Sequence, residues 1–134
     1  MNAKAHCLIL AGIAVSATAA SAPASEPRVS LTQSPLVMRM NKDEFRIAFG
    51  INGERCSAKG CHGLIRYRVH WKTEDGVARS EVKLVDYSVF AHTGRSIAVD
   101  RQYFDTAEGQ HRTEVVAVNV DLITCHDGAA PQPH

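Results

Sequence analysis

Residues 45–51 read Phe-Arg-Ile-Ala-Phe-Gly-Ile and residues 65–72 read Ile-Arg-Tyr-Arg-Val-His-Trp-Lys. In both, a large apolar side chain takes every second position, the period of a strand with one face buried and one wet. Phe45, Ile47, Phe49 and Ile51 form one inward row. Ile65, Tyr67, Val69 and Trp71 form another, set against Arg66, Arg68, His70 and Lys72. Val116, Val118, Val120 and Leu122 are expected to make a third, set against Ala117, Asn119 and Asp121. Less regular runs at 36–40, 77–90 and 95–104 complete six candidate strands, with 29–32 a seventh. Met38 and Met40 share a strand face and are expected in the core. No stretch of comparable length has helical spacing, so the chain reads as all-β.

The connections carry turn chemistry. Asn41-Lys42-Asp43 is one link, and Glu74-Asp75-Gly76 supplies the positive φ angles of a hairpin turn. Within 77–90, Val82 and Leu84 compete with Val85, Tyr87 and Val89 for one face, which predicts a β-bulge or a strand crossing between sheets. Short antiparallel strands at this spacing predict a two-sheet sandwich of immunoglobulin-like type over residues 36–127, with a small β-barrel as the alternative. Residues 25–35 read as an N-terminal linker or edge strand, and 128–134 (GAAPQPH) as a disordered tail.

The first two dozen residues differ in chemistry from the rest. Lys4 gives a positive start, residues 7–15 (CLILAGIAV) are apolar, and small side chains follow. About nine apolar residues suffice for a signal core and fall far short of the roughly 20 that span a bilayer. Residues 1–24 are therefore expected to be a cleaved secretory signal peptide, ending before Ser25 or Ser21, which places the protein in the periplasm or outside the cell. Lys4 is the only charged side chain of this leader, so its loss balances the remaining Lys and Arg against the 14 Asp and Glu. That neutrality argues against a nucleic-acid binder, whose affinity comes largely from clustered cations.

Once Cys7 leaves with the leader, an odd set of cysteines remains: Cys56, Cys61 and Cys125. Cys56 and Cys61 share a loop with Gly53, Gly60 and Gly63 and are the first choice for a disulfide. A Cys61–Cys125 bridge is the alternative, and its longer loop would constrain the unfolded chain more. Either choice leaves one thiol over.

If every connection reverses direction, the loops sort onto two ends. One gathers Asp43, Glu44, Glu74, Asp75, Asp105 and Glu108, hard ligands that suit calcium but lack the Asp-x-Asp-x-Asp-Gly spacing. The other gathers Cys56 with Cys61, His62, His92, Cys125 and His126. The last five are alternative zinc or copper ligands, because Cys61-His62 and Cys125-His126 repeat one dipeptide. Adjacent residues on an extended chain point in opposite directions, however, so each dipeptide offers one ligand, and the first expectation is no metal or other cofactor.

Neither a Gly-x-Ser-x-Gly elbow nor a His-Glu-x-x-His helix is present, so no catalytic residue is assigned and the protein is expected not to be an enzyme. The sequence points to an exported module that binds a protein partner, as an inhibitor, chaperone or accessory subunit. Arg66, Arg68, His70 and Lys72 are its candidate partner-binding row. A periplasmic zinc- or copper-binding protein is the alternative, and a small hydrolase the third.

Overall fold

A computed structural model describes residues 4–7, 26–41, 44–73, 75–103 and 112–131. Its strands are β1 (Lys4–His6), β2 (Arg28–Leu31), β3 (Leu36–Arg39), β4 (Glu44–Glu54), β5 (Cys61–Thr73), β6 (Ala78–Val89), β7 (Arg95–Tyr103), β8 (Arg112–Ile123) and β9 (His126–Asp127). They form two antiparallel sheets. No helix occurs among the described residues.

The two most regular alternations of the sequence become the two central strands, since a strand paired on both edges needs a full apolar row to face the core. In the first sheet β7 lines one edge of β4 from Asn52 to Glu44. On the other edge β3 pairs with residues 45–48 and β2 with residues 51–54, end to end, and β1 lies beyond β2. In the second sheet β6 runs along one edge of β5, while β8 and then β9 share the other. Phe45, Ile47, Phe49 and Ile51 of β4 are fully buried against Ile65, Tyr67, Val69 and Trp71 of β5. Among the described residues no strand pairs across the two sheets, the arrangement of a β-sandwich.

The hairpin between β5 and β6 forms where Asp75-Gly76 predicts it. Gly76 has φ +82° and its N–H donates to Thr73 O at 3.0 Å. The β6–β7 connection passes from one sheet to the other through a turn closed at Gly94.

Three expectations about which residues face inward are corrected. Along 77–90 there is neither a bulge nor a crossing: β6 pairs with β5 without a register shift, and Val82 and Leu84 simply face outward. The bulges lie in β8, whose pairing with β5 shifts between Arg66 and Tyr67, between His70 and Trp71 and between Lys72 and Thr73. Each shift reverses the faces of β8, so Val116 and Leu122 turn outward, while Val118 and Val120 stay in the row and Val115 and Ile123 join it. Met38 and Met40 are not core residues, because Met38 pairs with Arg46 on the outer face and Met40 is exposed. Gly128, read as the start of a loose tail, is held by its N–H to Gly60 O at 2.7 Å.

Candidate functional site

The cysteine/histidine end is built by the β4–β5 loop and β9. A disulfide joins Cys56 to Cys61, as the loop spacing predicts. Within this loop Gly60 has φ +86°, and a Cβ there would overlap the Val89 carbonyl oxygen, so the tight return into β5 requires glycine. Asp127 fixes the loop from β9: its Oδ1 accepts the Ser57 N–H at 2.8 Å and stands 4.0 Å from Cys61 Sγ.

The repeated dipeptide is split by the strand pleat. Cys61 and Cys125 are buried. His62 and His126 are cross-strand partners on the opposite face, with ring centroids 5.4 Å apart. His62 Nδ1 lies 2.9 Å from Gly128 O. His92 belongs to the β6–β7 turn, beside Phe90 at 6.1 Å between centroids. The five alternative metal ligands therefore do not converge, and Cys61, which that reading needs as a thiolate, is bonded to Cys56. The sulfurs of Cys7, Cys61 and Cys125 do come within 4.8 Å of one another. Cys125 is not left over in the intact chain, for Cys7 bonds to it from the segment read as a leader. The alternative Cys61–Cys125 bridge does not form, although its two sulfurs are neighbours.

Of the carboxylate end, Asp43, Glu74, Asp105 and Glu108 lie outside the described residues. Glu44 is engaged by Arg101 at 2.8 Å and Arg46 at 3.4 Å. The Asp75 carboxyl is held below its usual range by the Thr73 hydroxyl that donates to it, inside the hairpin turn.

Arg66, Arg68, His70 and Lys72 share the outer face of the second sheet, as their alternation requires. At one end of the row their neighbours are apolar. Leu84 and Val82 pair with Arg66 and Arg68 from β6, and Leu122 pairs with Arg66 from β8. All three are exposed, Leu84 by 61 %. At the other end of the row, Asn119 Nδ2 stands 3.0 Å from His70 Nε2 beside a hollow of about 540 Å³ lined by Lys72, Val116 and Ala117.

The outer face of the first sheet escapes sequence reading altogether. Strand β7 is turned over: Ala98, Asp100 and Gln102 face the core, and Ile97 and Val99 face out, 71 % and 49 % exposed. Val99 pairs with Ala48, which pairs in turn with Leu36, 52 % exposed, and Ile97 pairs with Gly50. These residues make two adjacent apolar rows across three strands. A groove of about 690 Å³ lies beside them, lined by Thr32, Gly50, Phe90 and Ile97. The next row carries Arg46 and Arg101 with their partner Glu44.

The chain matches no family model, no curated protein and no solved structure. Its function must be argued from these surfaces. Among the described residues no helix is long and apolar enough to cross a membrane. The outward turn of β7 has one legible cause: its inward positions bear polar side chains for which the core supplies partners. Tyr67 Oη donates to Asp100, and Gln102 Nε2 lies 3.0 Å from Asp100 Oδ2 and 3.3 Å from Tyr67 Oη. That network fixes Asp100 and Gln102 inward and leaves Ile97 and Val99 nowhere to go but out.

Proposed function

We propose that this chain is an exported, immunoglobulin-like module, without enzymatic activity, that binds a protein partner through the outer face of its first sheet. The observation that carries the reading is the outward row of Ile97, Val99 and Leu36 around Ala48 and Gly50. A contiguous apolar patch on a small domain marks an interaction surface, and the Glu44, Arg46 and Arg101 row gives it the charged rim that protein interfaces have. The immunoglobulin-like label is supported by strand order, since β3-β4-β7 against β6-β5-β8 distributes consecutive strands as A-B-E and C′-C-F do in that fold. Export is supported by the apolar run after Lys4 and by the Cys56–Cys61 disulfide, which suits an oxidising compartment. The basic row is a second face, whose cations flanked by Val82, Leu84 and Leu122 favour an acidic partner with an apolar centre.

Chemical cross-linking of the tagged protein in its native envelope fraction tests this. A specific adduct should disappear with Ile97→Glu/Val99→Glu and persist with Arg66→Glu/Arg68→Glu, with the melting temperature unchanged in both. Loss only in the arginine variant would move the partner to the second sheet. An adduct indifferent to both pairs would remove the proposal.

A further inference from the structure

Two disulfides meet at one end of the sandwich, where the sulfurs of Cys7, Cys61 and Cys125 lie within 4.8 Å of one another. Two of the residues, Cys61 and Cys125, belong to the domain itself, and the third, Cys7, belongs to the segment read as a leader. When that segment is removed, Cys125 becomes a thiol beside an intact Cys56–Cys61 disulfide. We propose that Cys56, Cys61 and Cys125 form a thiol–disulfide exchange site, in which Cys125 opens the Cys56–Cys61 bond and presents Cys56 to an external disulfide. The proposal rests on the export reading above.

The step balances without an oxidant. The Cys125 thiolate attacks Cys61 Sγ, the Cys61–Cys56 bond breaks as the Cys61–Cys125 bond forms, and Cys56 departs as a thiolate that takes up the proton Cys125 released. The surroundings choose between the two possible directions of attack. Cys61 is buried and has the Asp127 carboxylate 4.0 Å from its sulfur, an environment that disfavours a thiolate there. Cys56 is only half buried, on the loop between β4 and β5, so it is the better leaving group of the pair. The attacking species is the Cys125 thiolate, so the exchange speeds up as the pH rises. The second step is a mixed disulfide: the Cys56 thiolate attacks a disulfide of small-molecule or protein origin and expels one of its sulfurs as a thiol.

The test uses the full chain carrying Cys7→Ser, which uncaps Cys125 without requiring cleavage. After equilibration at mildly alkaline pH, acid quench, alkylation in denaturant and peptide mapping, one thiol per chain should be found, divided between Cys125 and Cys56. Addition of oxidised glutathione should place a single adduct on Cys56. The Cys7→Ser/Cys56→Ser chain should form a Cys61–Cys125 bridge in air and show no free thiol. Label confined to Cys125 in the first chain, or two free thiols in the second, would overturn the proposal. The export reading fails separately: native protein that begins at Met1, with Cys7 bonded to Cys125, would end it and with it the exchange in the native molecule, whatever the variants show.

Discussion

Tyr67 joins the two sheets by both parts of its side chain. Its ring packs against Phe49 of the opposite sheet with centroids 5.0 Å apart, and its hydroxyl reaches Asp100 and Gln102 on β7. Removing only the hydroxyl, as Tyr67→Phe, keeps the packing but takes a donor from a part-buried carboxylate, a loss of about 1–3 kcal/mol. Trp71→Ala, which deletes a buried aromatic outright, should cost about 3–5 kcal/mol. Arg66→Ala on the outer face should cost under about 0.5 kcal/mol. Urea unfolding of the three variants orders them. A Tyr67→Phe protein as stable as the parent would mean the polar clasp does not hold β7, and the explanation of its outward apolar row would fall with it.

At the scale of strands, β8 is where the pattern of the chain and its structure part, and two neighbouring residues make the difference measurable. Leu122 pairs with Arg66 on the outside and Ile123 pairs with Ile65 in the core. Ile123→Ala should therefore cost about 2–5 kcal/mol and Leu122→Ala less than about 1 kcal/mol. The reverse order would restore an unbroken strand with Val116 and Leu122 inside. Strands β4 and β5 were legible because every second residue is large and apolar and the residues between are small or charged. Strand β8 carries apolar residues at consecutive positions, Val115 with Val116 and Leu122 with Ile123, so either member of each pair can satisfy the period and only the β5 register decides. Strand β7 was illegible for the opposite reason: its core-facing residues include Asp100 and Gln102, which look like surface until Tyr67 is seen to meet them. The Cys56–Cys61 bridge was readable from a short glycine-rich loop. The approach of Cys125 to Cys61 depended on β9 closing onto β5, and the bond to Cys7 on a strand pairing that a leader-like sequence does not suggest.

For the molecule as a whole, two tyrosine hydroxyls withdrawn from water set a limit on the alkaline side. Burial raises the Tyr67 hydroxyl above its ordinary value, helped by the adjacent Asp100, and burial does the same to Tyr87, whose hydroxyl donates to Thr124 O. Both tyrosines thus keep their protons in the folded chain at a pH where the unfolded chain releases them. Below the unfolded value of about 10 neither state is ionised, so this contribution to stability is fully present. Above it the folded state binds more protons than the unfolded state, and stability must fall as pH rises. The slope approaches about 1.4 kcal/mol per pH unit for each tyrosine, discounted for the part of each side chain that solvent reaches. Denaturant midpoints measured from pH 8 to 11 should be level at first and then decline. In Tyr67→Phe and Tyr87→Phe the decline should be shallower, and in the double variant shallower still. A parent protein whose midpoint stays level to pH 11, or a double variant that declines as steeply as the parent, would show that these hydroxyls are not withheld from solvent in the way the packed sandwich requires.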